Sequence, residues 1–154
     1  MADEEEEMKR IEKLRGREGV VLDTMLFVYF FEDTSKLADA CETLFKSMVG
    51  GLFEGVATPI TMAELLVKPL KENRPDIATR YRNALAGMPN LRLSDIDPTL
   101  GCMAGALRAK YNLPLPDMLQ LATATLSARP TLITNDTALK KVDDAEVFLL
   151  EDLI

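Results

Sequence analysis

The chain has 154 residues, 47 % of them apolar and 28 % charged. That is enough for one domain, too few for two ordinary ones, and normal for a soluble globular protein. It contains no histidine, which excludes Ser-His-Asp and Cys-His catalysis, ribonucleases with a His acid/base pair, and every His-ligated metal site. The net charge of −7 is unfavourable for binding nucleic acid, since phosphate contacts need Lys and Arg, unless some of the acids are ligands neutralised by cations.

Residues 1–18 are charged, with Glu5/Lys9 and Glu6/Arg10 at i,i+4, which predicts a solvated helix. Gly16 and Gly19 then interrupt the chain, so 1–18 reads as a frayed extension outside the core, with Met8 as an alternative start. An acidic start from Asp3 to Glu7 is the reverse of a signal peptide, and no apolar run approaches the roughly 18–20 residues of a membrane span. The expected location is cytoplasmic.

Short apolar strands then alternate with helices. Gly19–Asp23 is a buried strand, followed by the continuously apolar Thr24–Phe31 and a helical period over Ser35–Val49. Gly55–Pro59 is a second strand. Thr61–Lys68 and Pro75–Gly87 are helices, and Leu91–Ser94 a third strand. Pro98–Tyr111 is a helix with Asp97 as N-cap and proline first. Pro116–Ala128 is a helix, Thr131–Thr134 a fourth strand, Asp136–Lys141 one or two helical turns, and Val147–Leu150 a fifth strand. Cys41 and Cys102 make neither a zinc framework nor a redox motif. Both sit in apolar helical segments and read as buried core thiols. Any metal here is a hard ion held by oxygen.

The alternation predicts an α/β domain: five parallel strands with helices on both faces. In such folds the site lies beyond the carboxyl ends of the strands. Asp23 closes the first strand, Asn135 and Asp136 follow the fourth, Glu64 lies one turn into the helix after the second, and Asp117 opens the helix leading to the fourth. Each acid has a structural reading as well. Asp23 and Asp136 can cap helices, Asp117 can complement a helix dipole, and Glu64 can pair with Lys68. Asp117, however, begins a segment that is apolar nearly all round, with no Lys or Arg between Tyr111 and Arg129. Asp23 is likewise flanked by apolar runs. Buried carboxylates without basic partners are costly and suggest a cation from solution.

Four segments, in order, carry a family resemblance: VVLDT (Val20–Thr24), TPITMAELL (Thr58–Leu66), LPLPDMLQLATA (Leu113–Ala124) and LITND (Leu132–Asp136). Over about residues 19–154 the chain resembles the PIN-domain nucleases, most of all the virulence-associated protein C toxins of toxin–antitoxin pairs. The resemblance implies metal-dependent cleavage of RNA phosphodiesters. It makes Asp23, Glu64, Asp117 and Asp136 the acidic metal and catalytic cluster, with Thr24, Thr134 and Asn135 as supporting polar groups. Met118 stands where a small Ala is common and would alter the pocket's wall. The 1–18 extension lies outside the pattern.

Carboxylates around one or two Mg2+ or Mn2+ ions activate water and stabilise charge on a phosphate without histidine. Asp23 and Asp117 are then direct ligands, Glu64 a ligand or an orienter of water, and Asp136 a ligand, directly or through water. Lys68, Lys71 and Arg74 are candidate contacts to the RNA backbone at the pocket's rim, their other reading being an ordinary solvated helix face. The resemblance also implies a small antitoxin partner and a homodimer. The competing reading is a non-catalytic PIN-like module that only binds RNA or protein. Haloacid-dehalogenase phosphatases and response-regulator receivers fit less well, because Asp23 stands alone and position 25 is Met. No P-loop or GxGxxG is present.

Overall fold

The computed structural model describes residues 2–32 and 36–154. Ser35, read from sequence as the start of a helix, lies outside the described residues. In chain order the elements are α1 (Ala2–Ile11), β1 (Val20–Leu22), α2 (Thr24–Glu32), α3 (Lys36–Val49), β2 (Gly55–Ala57), α4 (Pro59–Lys71), α5 (Pro75–Gly87), β3 (Leu91–Leu93), α6 (Pro98–Tyr111), α7 (Leu115–Ala124), β4 (Thr131–Thr134) and β5 (Glu146–Leu149). Short 3-10 turns at Glu12–Leu14, Thr137–Lys141 and Leu150–Asp152 fill the remainder.

The five strands form one sheet in the order β3-β2-β1-β4-β5, every neighbouring pair parallel. All residues of the three inner strands are buried, while β3 and β5 are partly exposed edges. That is the pattern of a sheet covered on both faces. Alternation along β1 sorts its side chains. Val20 and Leu22 enter one core with Phe27, Leu44, Phe45 and Met48 from α2 and α3. Val21 enters the other with Leu100, Ala104, Met118 and Leu121 from α6 and α7.

The boundaries shift for local reasons. Helix α4 runs through Pro69, which is buried. Helix α7 stops at Ala124, because Thr125 turns its hydroxyl back to the Ala122 carbonyl (2.6 Å) and Ser127 does the same to Ala124 (3.2 Å). These bonds close the last turn in place of further helix.

Three expectations need correction. Cys41 is buried, but Cys102 is exposed, because α6 buries Leu100, Ala104 and Leu107 on one face and position 102 falls on the other. Met118 is fully buried in the core beneath α7 and does not wall the pocket. The third concerns the N-terminal segment. Its charged residues are exposed, yet Ile11 and Leu14 are buried in the main core beside Leu150 and Leu153. Arg17 is only 4 % exposed. Its guanidinium pairs with Glu146, donates to Thr131 Oγ1 and to the Lys13 carbonyl at 3.0 Å each, and lies 5.0 Å from the centre of the Phe148 ring. The segment is thus fastened to the edge strand β5, an edge that is otherwise open to unwanted pairing.

Candidate active site

The order of strands reverses direction between β1 and β4, since β1 leads to β2 on one side and β4 lies on the other. Ligands in open α/β sheets bind beyond the carboxyl ends of the strands at such a point. Asp23 stands there. Its backbone N–H extends the ladder to the Ile133 carbonyl at 2.9 Å, which sets it beside Thr134. Three donors hold its carboxylate: Thr134 Oγ1 to Oδ2 (2.6 Å), and the Thr24 N–H (2.8 Å) and Gln120 Nε2 (3.2 Å) to Oδ1.

Gln120 is oriented in turn. Thr58, the N-cap of α4, donates its hydroxyl to Gln120 Oε1 at 3.2 Å, so the amide's donor end is left for Asp23. Thr24 Oγ1 lies 3.0 Å from Thr61 Oγ1 and donates to Glu64 Oε1 at 3.3 Å. Asp136 caps the turn after β4, accepting from the Ala138 N–H at 2.9 Å, while its own N–H donates to Thr134 Oγ1 at 3.1 Å.

Asp23, Glu64, Asp117 and Asp136 line one cleft of about 350 Å³, together with Thr24, Asn135, Met25, Tyr29, Pro114 and Pro116. Among the described residues no basic side chain forms an ion pair with any of the four acids. Burial pushes the Asp117 carboxyl up to about 6, with the Asp23, Asp136 and Glu64 charges adding to the effect. Burial also raises Asp23, against the lowering by its hydrogen bonds from Thr134, Thr24 and Gln120 and with a further upward push from Asp136. Glu64 rises through burial too, opposed by the Thr24 hydroxyl.

As the side chains stand, no three acidic or thiol groups among the described residues are gathered tightly enough to hold one ion. Like charges without a counter-charge keep apart. The donor set nonetheless fits a hard divalent cation: it is all oxygen, unpaired with bases, and close enough for Asp117 to feel the other three charges.

The basic residues expected at the rim do not line the cleft. Lys68 is drawn to Glu32 at the end of α2 (3.5 Å) instead of Glu64, and Arg74 makes a two-pronged contact with Asp76 (3.0 and 2.9 Å). A larger hollow of about 510 Å³ lies at the amino ends of the strands. Its arginines 15, 17 and 92 are matched by Glu12, Glu146 and Glu54, and Arg129 and Glu18 add one charge of each sign, so it carries no one-signed excess like that of the acidic cleft. Sequence reasoning overlooked Gln120 and Tyr29. Gln120 carries a signal, a lone amide one turn after Asp117 in an otherwise apolar helix; Tyr29 is masked by the aromatic run around it.

The PIN domain family is matched by sequence over residues 20–145, from the start of β1 to the residue before β5. The chain belongs to the PIN domain family. Among solved structures, this PIN domain is similar to a chain of VapBC2 from Rickettsia felis bound to a DNA fragment from their promoter. That likeness has a TM-score of 0.68 and 17 % identity over 86 % of this chain and 98 % of that one. A chain of a toxin-antitoxin complex from Klebsiella pneumoniae gives 0.65 and 23 % over 85 % and 97 %, and one of FitAcB from Neisseria gonorrhoeae gives 0.67 and 18 % over 86 % and 98 %. At these identities the likeness speaks for the fold. No curated protein matches the chain in sequence. Among the described residues of this PIN domain, no helix is long and apolar enough to cross a membrane.

Proposed function

We propose that this PIN domain is a Mg2+- or Mn2+-dependent endoribonuclease, acting in the cytoplasm as the toxin of a toxin–antitoxin pair. One observation carries the reading. Carboxylates from four separate stretches of chain share one cleft at the switch point of the sheet, without basic partners and with Asp117 held near 6. Such an arrangement is destabilising unless a cation is its purpose.

Asp23, Asp117 and Asp136 would hold the metal, with Glu64 as a further ligand or an orienter of water. When bound, one or two such ions lower the pKa of water and offset negative charge building on the scissile phosphate. The protein's part is preorganisation. Thr134, Gln120 and the Thr24 N–H fix both oxygens of Asp23, so it need not reorient to act as a ligand. Thr24 fixes Glu64 in the same way. Asp136 spends one oxygen, Oδ1, on its cap, and among the described residues no hydrogen bond engages the other. Asp117, the acid with the strongest upward push, keeps its proton up to about pH 6, so below that pH a cation must displace it.

The toxin assignment is supported by the structural neighbour from Klebsiella pneumoniae, which is described as a toxin–antitoxin complex. A small antitoxin placing a basic side chain among the four acids would neutralise the cleft. Two copies of the chain are expected to associate, as the continuously apolar sequence of α2 suggests, and light scattering at tens of micromolar would read that mass. The deciding experiment incubates the protein with RNA and with single-stranded DNA of the same sequence, in EDTA and in Mn2+. Cleavage of RNA alone, only in Mn2+ and abolished by Asp23→Asn, is the expected result. Cleavage in EDTA, or cleavage unchanged in Asp23→Asn, overturns the reading.

A further inference from the structure

The cleft contains a second kind of surface. Beside the carboxylates it is lined by Met25 and Tyr29 from α2 and by Pro114 and Pro116 from the stretch entering α7. Met25 and Tyr29 are four residues apart on one helix and share a face. A thioether and two pyrrolidine rings neither ligate a hard cation nor pair with phosphate, and beside them Tyr29 presents an uncharged aromatic ring. Met25 is 43 % exposed, and Leu115, between the two prolines, 48 %. The Tyr29 ring is held at both ends. It packs against the core beneath α2 and α3, and its hydroxyl accepts from Asn135 Nδ2 at 3.5 Å, between Thr134 and Asp136.

Electrostatics adds a reason for this surface. Among the described residues no Lys or Arg lines the cleft, in a chain whose net charge is −7. Phosphate contacts, the usual source of affinity for nucleic acid, are therefore weak beside the reacting centre. Stacking on an aromatic ring is the sequence-tolerant alternative, and it depends little on charge.

We propose that Tyr29, with Met25 beside it and Pro114 and Pro116 in the same cleft, forms a slot that stacks the base of a nucleotide adjoining the scissile phosphate. The slot rests on the ribonuclease reading. Tyr29 is then a substrate-binding residue that seats the base, and Asn135 positions it.

Two measurements test the slot independently of cleavage chemistry. The first is the dissociation constant of a short fluorescein-labelled RNA, by anisotropy in Ca2+, with each nucleotide flanking the cut replaced in turn by an abasic one. The second is kcat/KM for the same oligonucleotides in Mn2+. In the wild type, loss of one flanking base should weaken both by about tenfold, as the loss of one stacked base does. Tyr29→Leu, which keeps apolar bulk, should bring the intact-to-abasic ratio close to one, and Tyr29→Phe should preserve it. The salt dependence of binding should be shallow and unchanged by Tyr29→Leu. A wild-type ratio of one at both positions, or a ratio that survives Tyr29→Leu, overturns the slot while leaving the nuclease reading intact. Base-dependent binding that Tyr29→Leu removes, without any cleavage in Mn2+, overturns the nuclease reading and with it the scissile phosphate beside the slot, leaving Tyr29 as a stacking contact alone. Loss of both removes both.

Discussion

Thr134 Oγ1 donates to Asp23 Oδ2 across 2.6 Å and accepts the Asp136 N–H at 3.1 Å, so one hydroxyl ties together the acids that end β1 and follow β4. This bond also works against the burial that raises Asp23. Thr134→Val keeps the shape and removes both bonds. The Asp23 carboxyl should rise further and lose its fixed orientation. Mn2+ affinity and cleavage should fall by about 10–100-fold, as outer-shell losses do, at a stability cost of about 1–3 kcal/mol. Calorimetric Mn2+ titration at two pH values checks this, and affinity should recover partly at the higher pH. Unchanged affinity would mean that Asp23 needs no positioning.

The second prediction concerns products. A chain without histidine has no imidazole pair to drive attack by the ribose 2′-hydroxyl. The acids of the cleft instead suit attack by water on phosphorus. Cleavage should leave a 5′-phosphate and a 3′-hydroxyl, read by mass spectrometry of the fragments. A 2′,3′-cyclic phosphate would replace this mechanism with another.

The third concerns the N-terminal segment, which lies outside the residues matched to the family. Removing residues 1–18 deletes Ile11 and Leu14 from the core and Arg17 from its contacts with Glu146 and Thr131. Each buried aliphatic side chain contributes about 1.5–3 kcal/mol, and the loss also uncovers β5. The truncated protein should unfold at clearly lower urea concentration, and Arg17→Met should reproduce part of the loss. Equal midpoints for the full and truncated chains would return the segment to the status of a loose tail.

Legibility in the sequence depends on range. The strand and helix alternation is local, and the rule for carboxyl ends turns it into a location for Asp23, Glu64, Asp117 and Asp136 without any side-chain geometry. Partners far apart in sequence leave no such trace. Lys68 faces two acids at plausible range, Glu64 on its own helix and Glu32 on α2, and only packing of α2 on α4 decides for Glu32. Arg17 reads as one more charge in a charged stretch, because Glu146 and Thr131 lie more than a hundred residues away. Ile11 and Leu14 make a single apolar pair, too short for a period. Gln120 and Tyr29 act through orientation, which composition does not encode.

The last prediction joins pH, metal and stability at Asp117. Its folded pKa is pushed up to about 6, against an unfolded value of about 3.9. The folded state therefore binds more protons between those two values. Metal-free stability from this group is complete below the unfolded pKa and is lost as pH rises through the folded one. For a half-buried, partly screened carboxyl the loss is about 1–2 kcal/mol, or a few degrees of melting temperature for a chain of this size. Asp23 and Glu64, also raised, act in the same direction. Acids with lowered values such as Asp76 and Asp152 act oppositely, so the informative quantity is the difference between wild type and Asp117→Asn. In EDTA that variant should be at least as stable as wild type near pH 7 and should lose its advantage toward pH 4. Mn2+ should raise the wild-type melting temperature according to RT ln(1 + [L]/Kd), more at pH 7 than at pH 5 because protons compete for the same oxygens. Asp117→Asn should blunt that rise and abolish cleavage. Melting curves in EDTA and in Mn2+, for both proteins across this pH range, decide the matter. A wild type that melts identically in the two buffers at pH 7, or an Asn variant markedly less stable in EDTA, would make Asp117 a structural residue at the start of α7.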